Sequence, residues 1–146
     1  FRFDYGAIYD GYWGDLARTF VMGKPNPAQQ KYHDAVKAAQ EAGLSAVRPG
    51  VTADYIYKEA LKGGQVYDPE LRREHVGHGL GLEVHEEPLL RLGNEQVIEA
   101  GMVICVEVGK YLADIGGFQI EDTVLVTDTG IEILDSLPKG VSLPIE

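Results

Sequence analysis

The chain has 146 residues, 45% of them hydrophobic, which is typical of one domain with a core of its own. Its 13 lysines and arginines against 23 aspartates and glutamates give a formal charge of −10, which argues against binding to nucleic-acid phosphates or to an anionic membrane. The longest nearly unbroken apolar run, residues 102–106, is far shorter than the roughly 20 residues of a membrane-spanning helix.

The chain opens directly on a strand-like sequence, and we expect it to be a fragment with residues missing upstream. Two runs rich in aromatic and β-branched residues, 1–9 and 12–21, flank the dipeptide Asp10-Gly11. This dipeptide is a strong signal for a two-residue turn, so the runs should pair as an antiparallel hairpin.

In that hairpin Asp4 and Asp15 become diagonal neighbours on one face, and Gly6 leaves space opposite Asp15. Two converging carboxylates need a cation between them. The alternative is that both are solvated on an exposed strand face, and the hairpin taken alone favours that alternative.

Two helices are predicted next. Asn26 should cap a long amphipathic helix over residues 28–47, and Thr52 should cap a second over residues 53–62. The pair Gly63-Gly64 is expected to end the second helix.

The second half of the chain alternates glycine-rich and strand-like stretches. Residues 75–85 contain three glycines, which indicates that their backbone approaches another segment closely. Residues 102–108 and 118–127 are predicted strands, joined by a loop at Gly116-Gly117, and residues 131–134 are expected to add another strand.

The single cysteine, Cys105, lies in one of these apolar strands and has no partner for an internal disulfide. We predict a buried, inert thiol and a cytoplasmic location.

Glu107 and Glu121 interrupt the two strands. If the connection is centred near Asp114, they face each other across the sheet, and two buried like charges usually require a divalent ion. The alternative counter-charge is Lys110, which we place in the turn and expect to reach solvent.

Histidines could complete such a site. His78 lies between two glycines that leave its ring accessible, and His85 follows seven residues later. His75 is a candidate third participant, whereas His33, within a polar helix, is predicted to be a solvated surface residue.

Four carboxylates and one imidazole form an oxygen-rich donor set. Such a set suits Mn, Fe, Co or catalytic Zn, and the number of donors matches two divalent metal ions.

Five of these residues, in order, resemble the ligands of the pita-bread metallopeptidases, which include Xaa-Pro dipeptidases, aminopeptidase P and methionine aminopeptidases. The matching local sequences are FDYGA at Asp4, GDLARTF at Asp15, GHG at His78, the strand at Glu107, and IEDT at Glu121. The resemblance extends over residues 3–134. It implies an α+β pita-bread fold, with a curved antiparallel sheet and helices packed outside.

The resemblance also implies a role for each residue. Asp4 would bind one metal ion, Asp15 and Glu121 would bridge both ions, and His78 and Glu107 would bind the other. His85 would contact the substrate, and Glu107 would also shuttle a proton. The implied reaction is hydrolysis of the N-terminal peptide bond of a small peptide by a metal-bridging hydroxide.

Three positions depart from the Xaa-Pro branch, to which the sequence is otherwise closest. Gln119 stands where the Xaa-Pro branch usually has arginine and where methionine aminopeptidases usually have glutamine. Glu74 stands where the branch usually has histidine, and Val108 stands where it usually has proline. They leave the ligands intact but keep open a methionine aminopeptidase-like enzyme or a hydrolase of another carbon–nitrogen bond.

Retention of all five ligands and His85 argues against a further alternative, a non-catalytic peptide-binding or protein-binding module. The family's catalytic domain has an additional amino-terminal half. Residues 1–146 are therefore expected to be one incomplete catalytic domain, weakly active or inactive alone, and the full-length protein is expected to be a homodimer.

Overall fold

A computed structural model describes residues 1–142, in which two helices lie against one antiparallel sheet. The strands are β1 (Arg2–Tyr9), β2 (Tyr12–Thr19), β3 (Gly77–Gly79), β4 (Val103–Leu112), β5 (Gly116–Val126) and β6 (Ile131–Ile133), and the helices are α1 (Pro27–Ala46) and α2 (Ala53–Gln65). The strand order is β1-β2-β5-β4-β3, and β6 pairs with β5. Neither helix is long and apolar enough to cross a membrane.

The first hairpin has the predicted register. Asp10 and Gly11 both adopt positive φ angles, of 50° and 87°, as a tight turn matching the strand twist requires. Asp4 therefore pairs with Ala17, and Gly6 pairs with Asp15. The two carboxylates are diagonal neighbours, as predicted.

Helix α1 begins at a capping box in which the Asn26 side chain accepts from the Gln29 amide and the Gln29 side chain accepts from the Asn26 amide. The prediction for His33 is wrong, because this residue is only 2% exposed. It lies on the helix stripe of Val36 and Gln40, at a spacing of three and seven residues, and this stripe is buried.

Helix α2 continues through Gly63 and Gly64, so the predicted end at these residues is wrong. A Cβ atom at Gly63 would lie 2.5 Å from the Ala42 Cβ, and one at Gly64 would lie 2.8 Å from the Ala35 carbonyl oxygen. The glycines allow α1 and α2 to pack closely and do not act as a cap.

The second hairpin is longer than predicted. Gly116 and Gly117 lie inside β5, because the turn comes before them. The register still pairs Glu107 with Glu121, as expected for a connection centred near Asp114. Lys110 lies in β4 and not in a turn, and its ammonium is 2.9 Å from Asp68, so it is no counter-charge for Glu107.

The sheet has one helix-covered face. In β4, Ile104, Val106 and Val108 belong to the main core together with residues of both helices, and a Cβ at Gly43 of α1 would touch Val106. Because strand side chains alternate, Cys105 and Glu107 point to the other face. We call this second face the site face.

Candidate metal centre

The site face of β5 carries Gln119, Glu121 and Thr123, which are at most 7% exposed. They alternate with the core residues Ile120 and Val124. Polar side chains are thus buried on one face of a strand whose other face is mainly apolar, and such groups require partners or a bound ion.

The first hairpin joins this face at one point. Ala17 of β2 pairs with Glu121 of β5, which brings Asp15 beside the carboxylates of the second hairpin. The Thr123 hydroxyl donates to the Asp15 carbonyl at 2.7 Å and extends the junction by one contact.

Strand β3 places His78 opposite Cys105 of β4. Gly77 has a φ of 149°, and a Cβ there would lie 2.0 Å from the Cys105 carbonyl oxygen, so glycine is required for this approach. The expected close contact of the glycine-rich segment is therefore confirmed.

The tautomer of His78 follows from its neighbour. His78 Nδ1 is 3.0 Å from the Gly79 carbonyl, which can only accept, so Nδ1 carries the hydrogen. Nε2 then faces the carboxylates, 3.9 Å from an oxygen of both Glu107 and Glu121. This is the arrangement of a metal-binding imidazole.

Four side chains converge most closely. One potential ligand atom from each of Asp15, His78, Cys105 and Glu121 lies within 4.8 Å of all the others. Cys105 is buried, as predicted, but the sequence analysis did not place it in this group. The signal was its position two residues before Glu107, which puts both on one strand face.

The thiol of Cys105 is held in its protonated form. Its sulfur is 3.5 Å from Thr123 Oγ1, whose single proton is already donated to the Asp15 carbonyl, so the thiol must be the donor. Burial, and then the charge of Glu121, raise the pKa of the Cys105 thiol well above its usual range.

The carboxylates repel one another. Burial, followed by the charges of Glu107, Asp15 and Asp4, raises the pKa of Glu121 to about 9. Burial and the charge of Asp4 also raise the pKa of Asp15. A divalent cation would relieve this repulsion, so the donor set fits such an ion in both its chemistry and its electrostatics.

A hydrogen bond orients Glu107. The Gln119 amide donates to its Oε2 at 2.9 Å, and His75 Nδ1 lies 3.4 Å from its Oε1. Gln119 in turn accepts from Tyr111, at 2.7 Å, and from Arg2. Gln119 is thus a direct partner of a candidate ligand.

Asp4 lies at the rim of the site and outside the four converging side chains. Its side chain is 39% exposed, and its carboxylate accepts from Arg2 at 2.9 Å. Since Arg2 also reaches Gln119, a continuous set of polar contacts links Asp4 to Glu107.

The second histidine of the glycine-rich segment is also at the site. The rings of His85 and His78 have centroids 4.1 Å apart, and His85 is exposed where His78 is buried. His85 is therefore placed to meet a ligand that enters from solvent.

Comparisons with known proteins agree on one family. The profile of metallopeptidase family M24 matches residues 1–128. The Xaa-Pro dipeptidase of Pyrococcus furiosus is 41% identical over 134 residues, which are 90% of this chain and 38% of that protein.

Solved structures show the same fold. The prolidase of Pyrococcus horikoshii OT3 superposes with a TM-score of 0.89 at 37% identity, over 96% of this chain and 41% of that one. The Xaa-Pro dipeptidase of Bacillus anthracis gives 0.91 at 34% identity, over 97% and 40%. The predicted pita-bread fold is confirmed, and the chain spans well under half the length of these relatives.

Proposed function

Because the chain belongs to metallopeptidase family M24, we propose that it supplies the metal-binding part of a prolidase-like peptidase that cleaves the N-terminal peptide bond of dipeptides or short peptides. The observation that carries this proposal is the convergence of Asp15, His78 and Glu121 on the site face, with Glu107 beside them. A relative named Xaa-Pro dipeptidase, 41% identical, supports the substrate class.

We assign the metal ligands to five residues. Asp4 would bind one divalent ion, His78 and Glu107 the other, and Asp15 and Glu121 both. Asp15 lies on β2 and Glu121 on β5, on the two sides of the β2–β5 junction, and both belong to the four converging side chains, which supports the shared role. The bound ions would supply Lewis-acid chemistry, polarising the scissile carbonyl and lowering the pKa of water.

Two residues would act directly on the substrate. His85 is exposed and next to His78, so its ring can donate a hydrogen bond to the carbonyl oxygen as negative charge develops there. Glu107 would accept a proton and return it to the leaving amine. Its hydrogen bond from Gln119 fixes one carboxylate oxygen and leaves the other for this transfer.

Gln119 also bears on specificity. The amide beside Glu107 is neutral, whereas the arginine usual in the Xaa-Pro branch would bring a positive charge to the same carboxylate. This contact favours, as a second candidate, a methionine aminopeptidase-like preference on the same scaffold. A homodimer and a cytoplasmic location stay predictions.

A panel of peptides tests the proposed function. The chain, loaded with Mn²⁺ or Co²⁺ and supplied with the rest of a related catalytic domain, would be assayed on Xaa-Pro dipeptides and on peptides that begin with methionine, with release of the first residue as the measurement. We expect His85→Ala to retain metal and to lower turnover by about 100-fold or more. Leu82→Ala, an exposed neighbour in the same loop, is the control.

Two results would overturn the proposal. One is metal loss in the His85 variant, which would refute the separation of ligand and substrate roles. The other is stoichiometric metal binding by a chain that cleaves no peptide even when supplied with the rest of a related catalytic domain.

A further inference from the structure

The two halves of the proposed ligand set lie on different hairpins that share little backbone. Strands β1 and β2 pair along their length, as do β4 and β5. Between β2 and β5, the register within residues 1–142 consists of one pair, Ala17 with Glu121. The distance from Asp15 to Glu121 therefore depends on a narrow junction.

Arg18 contacts this junction from the sheet face opposite the site face. Its side chain is 1% exposed, and its Nη1 donates both to the Ala17 carbonyl, at 2.9 Å, and to the Glu121 carbonyl. These are the carbonyls of the two residues that pair across the junction. One guanidinium nitrogen thus joins the strands at the pair itself, while Thr19 with Gln119 and Thr123 with Asp15 join them on either side.

The rest of the guanidinium is held by two carboxylates and by the Leu137 carbonyl, which accepts from Nε and Nη2. Arg18 Nη2 lies 2.6 Å from Asp122 and 2.8 Å from Asp135. Asp122 is fully buried, and it also accepts from Gln40 at 2.8 Å and from Lys139. Two cations and two anions balance, so the buried group carries no net charge and can hold one geometry.

Arg18 is not itself part of the site. It follows Ala17 in β2, and Asp122 follows Glu121 in β5, so strand alternation directs both side chains away from the site face. Its contacts reach the metal centre only through backbone carbonyls.

We propose that Arg18 is a positioning residue that sets the separation of Asp15 and Glu121 by clamping the carbonyls of Ala17 and Glu121. The inference concerns the geometry of the junction, and its effect on metal binding rests on the proposed function. Lysine cannot substitute, because one ammonium cannot span two carbonyls and two carboxylates as the planar guanidinium does.

The first measurement is hydrogen exchange on the metal-free chain. Arg18→Lys should raise exchange at the β2–β5 junction by about 10-fold or more and leave the α1 and β4 amides protected. Asp135→Asn is the matched control, since it weakens one contact of Arg18 Nη2 and leaves the contacts of Nη1 with the Ala17 and Glu121 carbonyls in place. It should leave junction exchange close to that of the parent.

The second measurement is Mn²⁺ affinity by calorimetry on the folded variants. Arg18→Lys should weaken binding by about 10-fold or more, whereas Asp135→Asn should not. If Arg18 only stabilised the fold, Arg18→Lys would lower the melting temperature and leave the Mn²⁺ affinity of the folded protein unchanged. Parent-like exchange and affinity in a folded Arg18→Lys chain would overturn the inference.

Hydrogen exchange and calorimetry together distinguish a failure of the proposed function from a failure of the proposed role of Arg18. If the parent chain binds no Mn²⁺, the proposed function fails, and hydrogen exchange alone decides whether Arg18 holds the junction. If Arg18→Lys does not fold, Arg18→Gln together with Asp122→Asn is compared with Asp135→Asn, and unchanged junction exchange in that double variant would contradict the role.

Discussion

Glu121 is the residue on which the electrostatics of the site depend. Its carboxyl is almost fully buried among Glu107, Asp15 and Asp4, and in the metal-free chain its pKa is raised from 4.5 to about 9. Burial without a cation therefore keeps Glu121 protonated at neutral pH, and a bound divalent ion would reverse this.

A pH dependence of stability follows for the metal-free chain. Between pH 4.5 and about 9 the folded state holds a proton that the unfolded state releases, so stability falls as pH rises through this window. One such proton contributes at most about 1.4 kcal/mol per pH unit. Urea unfolding in chelator from pH 5 to 8.5 should show the decline.

Glu121→Gln should remove that contribution, since an amide does not titrate. Glu132→Gln, at an exposed carboxylate on β6, should keep the parent's slope. An undiminished slope in Glu121→Gln would assign the pH dependence to another group.

Cys105 offers a second test at this scale. The thiol is fully buried, its proton is donated to Thr123, and its pKa is raised. We expect alkylation of the native chain to be about 100-fold slower or more than alkylation of the unfolded chain, because reaction requires opening of the sheet. Equal rates in the native and unfolded chains would show that the thiol is accessible.

At the scale of elements, the contact between α1 and α2 depends on missing side chains. A Cβ at Gly64 would lie 2.8 Å from both the Ala35 carbonyl oxygen and the Ala39 Cβ. Gly64→Ala should therefore destabilise the fold by about 1 to 3 kcal/mol through overpacking, although alanine favours helices.

Chemical denaturation measures this effect, and Lys62→Ala serves as the control. That residue is in the same helix, and its side chain is 76% exposed, so its replacement should change stability little. A Gly64→Ala chain as stable as the parent would mean that the helices can separate without cost.

Local patterns predicted the hairpins well. The turn at Asp10 and Gly11 fixed one register, and the symmetric placement of Glu107 and Glu121 about Asp114 fixed the other. Each register is set within a single hairpin, for which turn type and strand alternation are sufficient.

Contacts distant in sequence were harder to predict. Gly63 and Gly64 have the sequence of a helix end, but they meet α1, and His33 is polar yet lies on a buried stripe. The contact from Arg18 to the Glu121 carbonyl joins residues 103 positions apart, and no local periodicity indicates such a pair.

At the scale of the whole molecule, the acidity of the chain is partly a property of its site. Two divalent ions would change the formal charge from −10 to −10 + 4 = −6. The donor set is assembled from three separate parts of the chain, namely the first hairpin, the glycine-rich segment and the second hairpin. Metal would therefore connect elements that the backbone joins only narrowly.

Metal stoichiometry distinguishes a two-ion centre from a group of carboxylates that binds no metal. Elemental analysis of the chain purified without chelator, repeated after addition of Mn²⁺ or Co²⁺, should give about two ions per chain. Both ions should be lost together in Asp15→Ala, and Glu132→Gln should retain them. A parent chain that binds no divalent ion, or an Asp15→Ala chain that keeps both, would contradict the assignment of these residues as shared metal ligands.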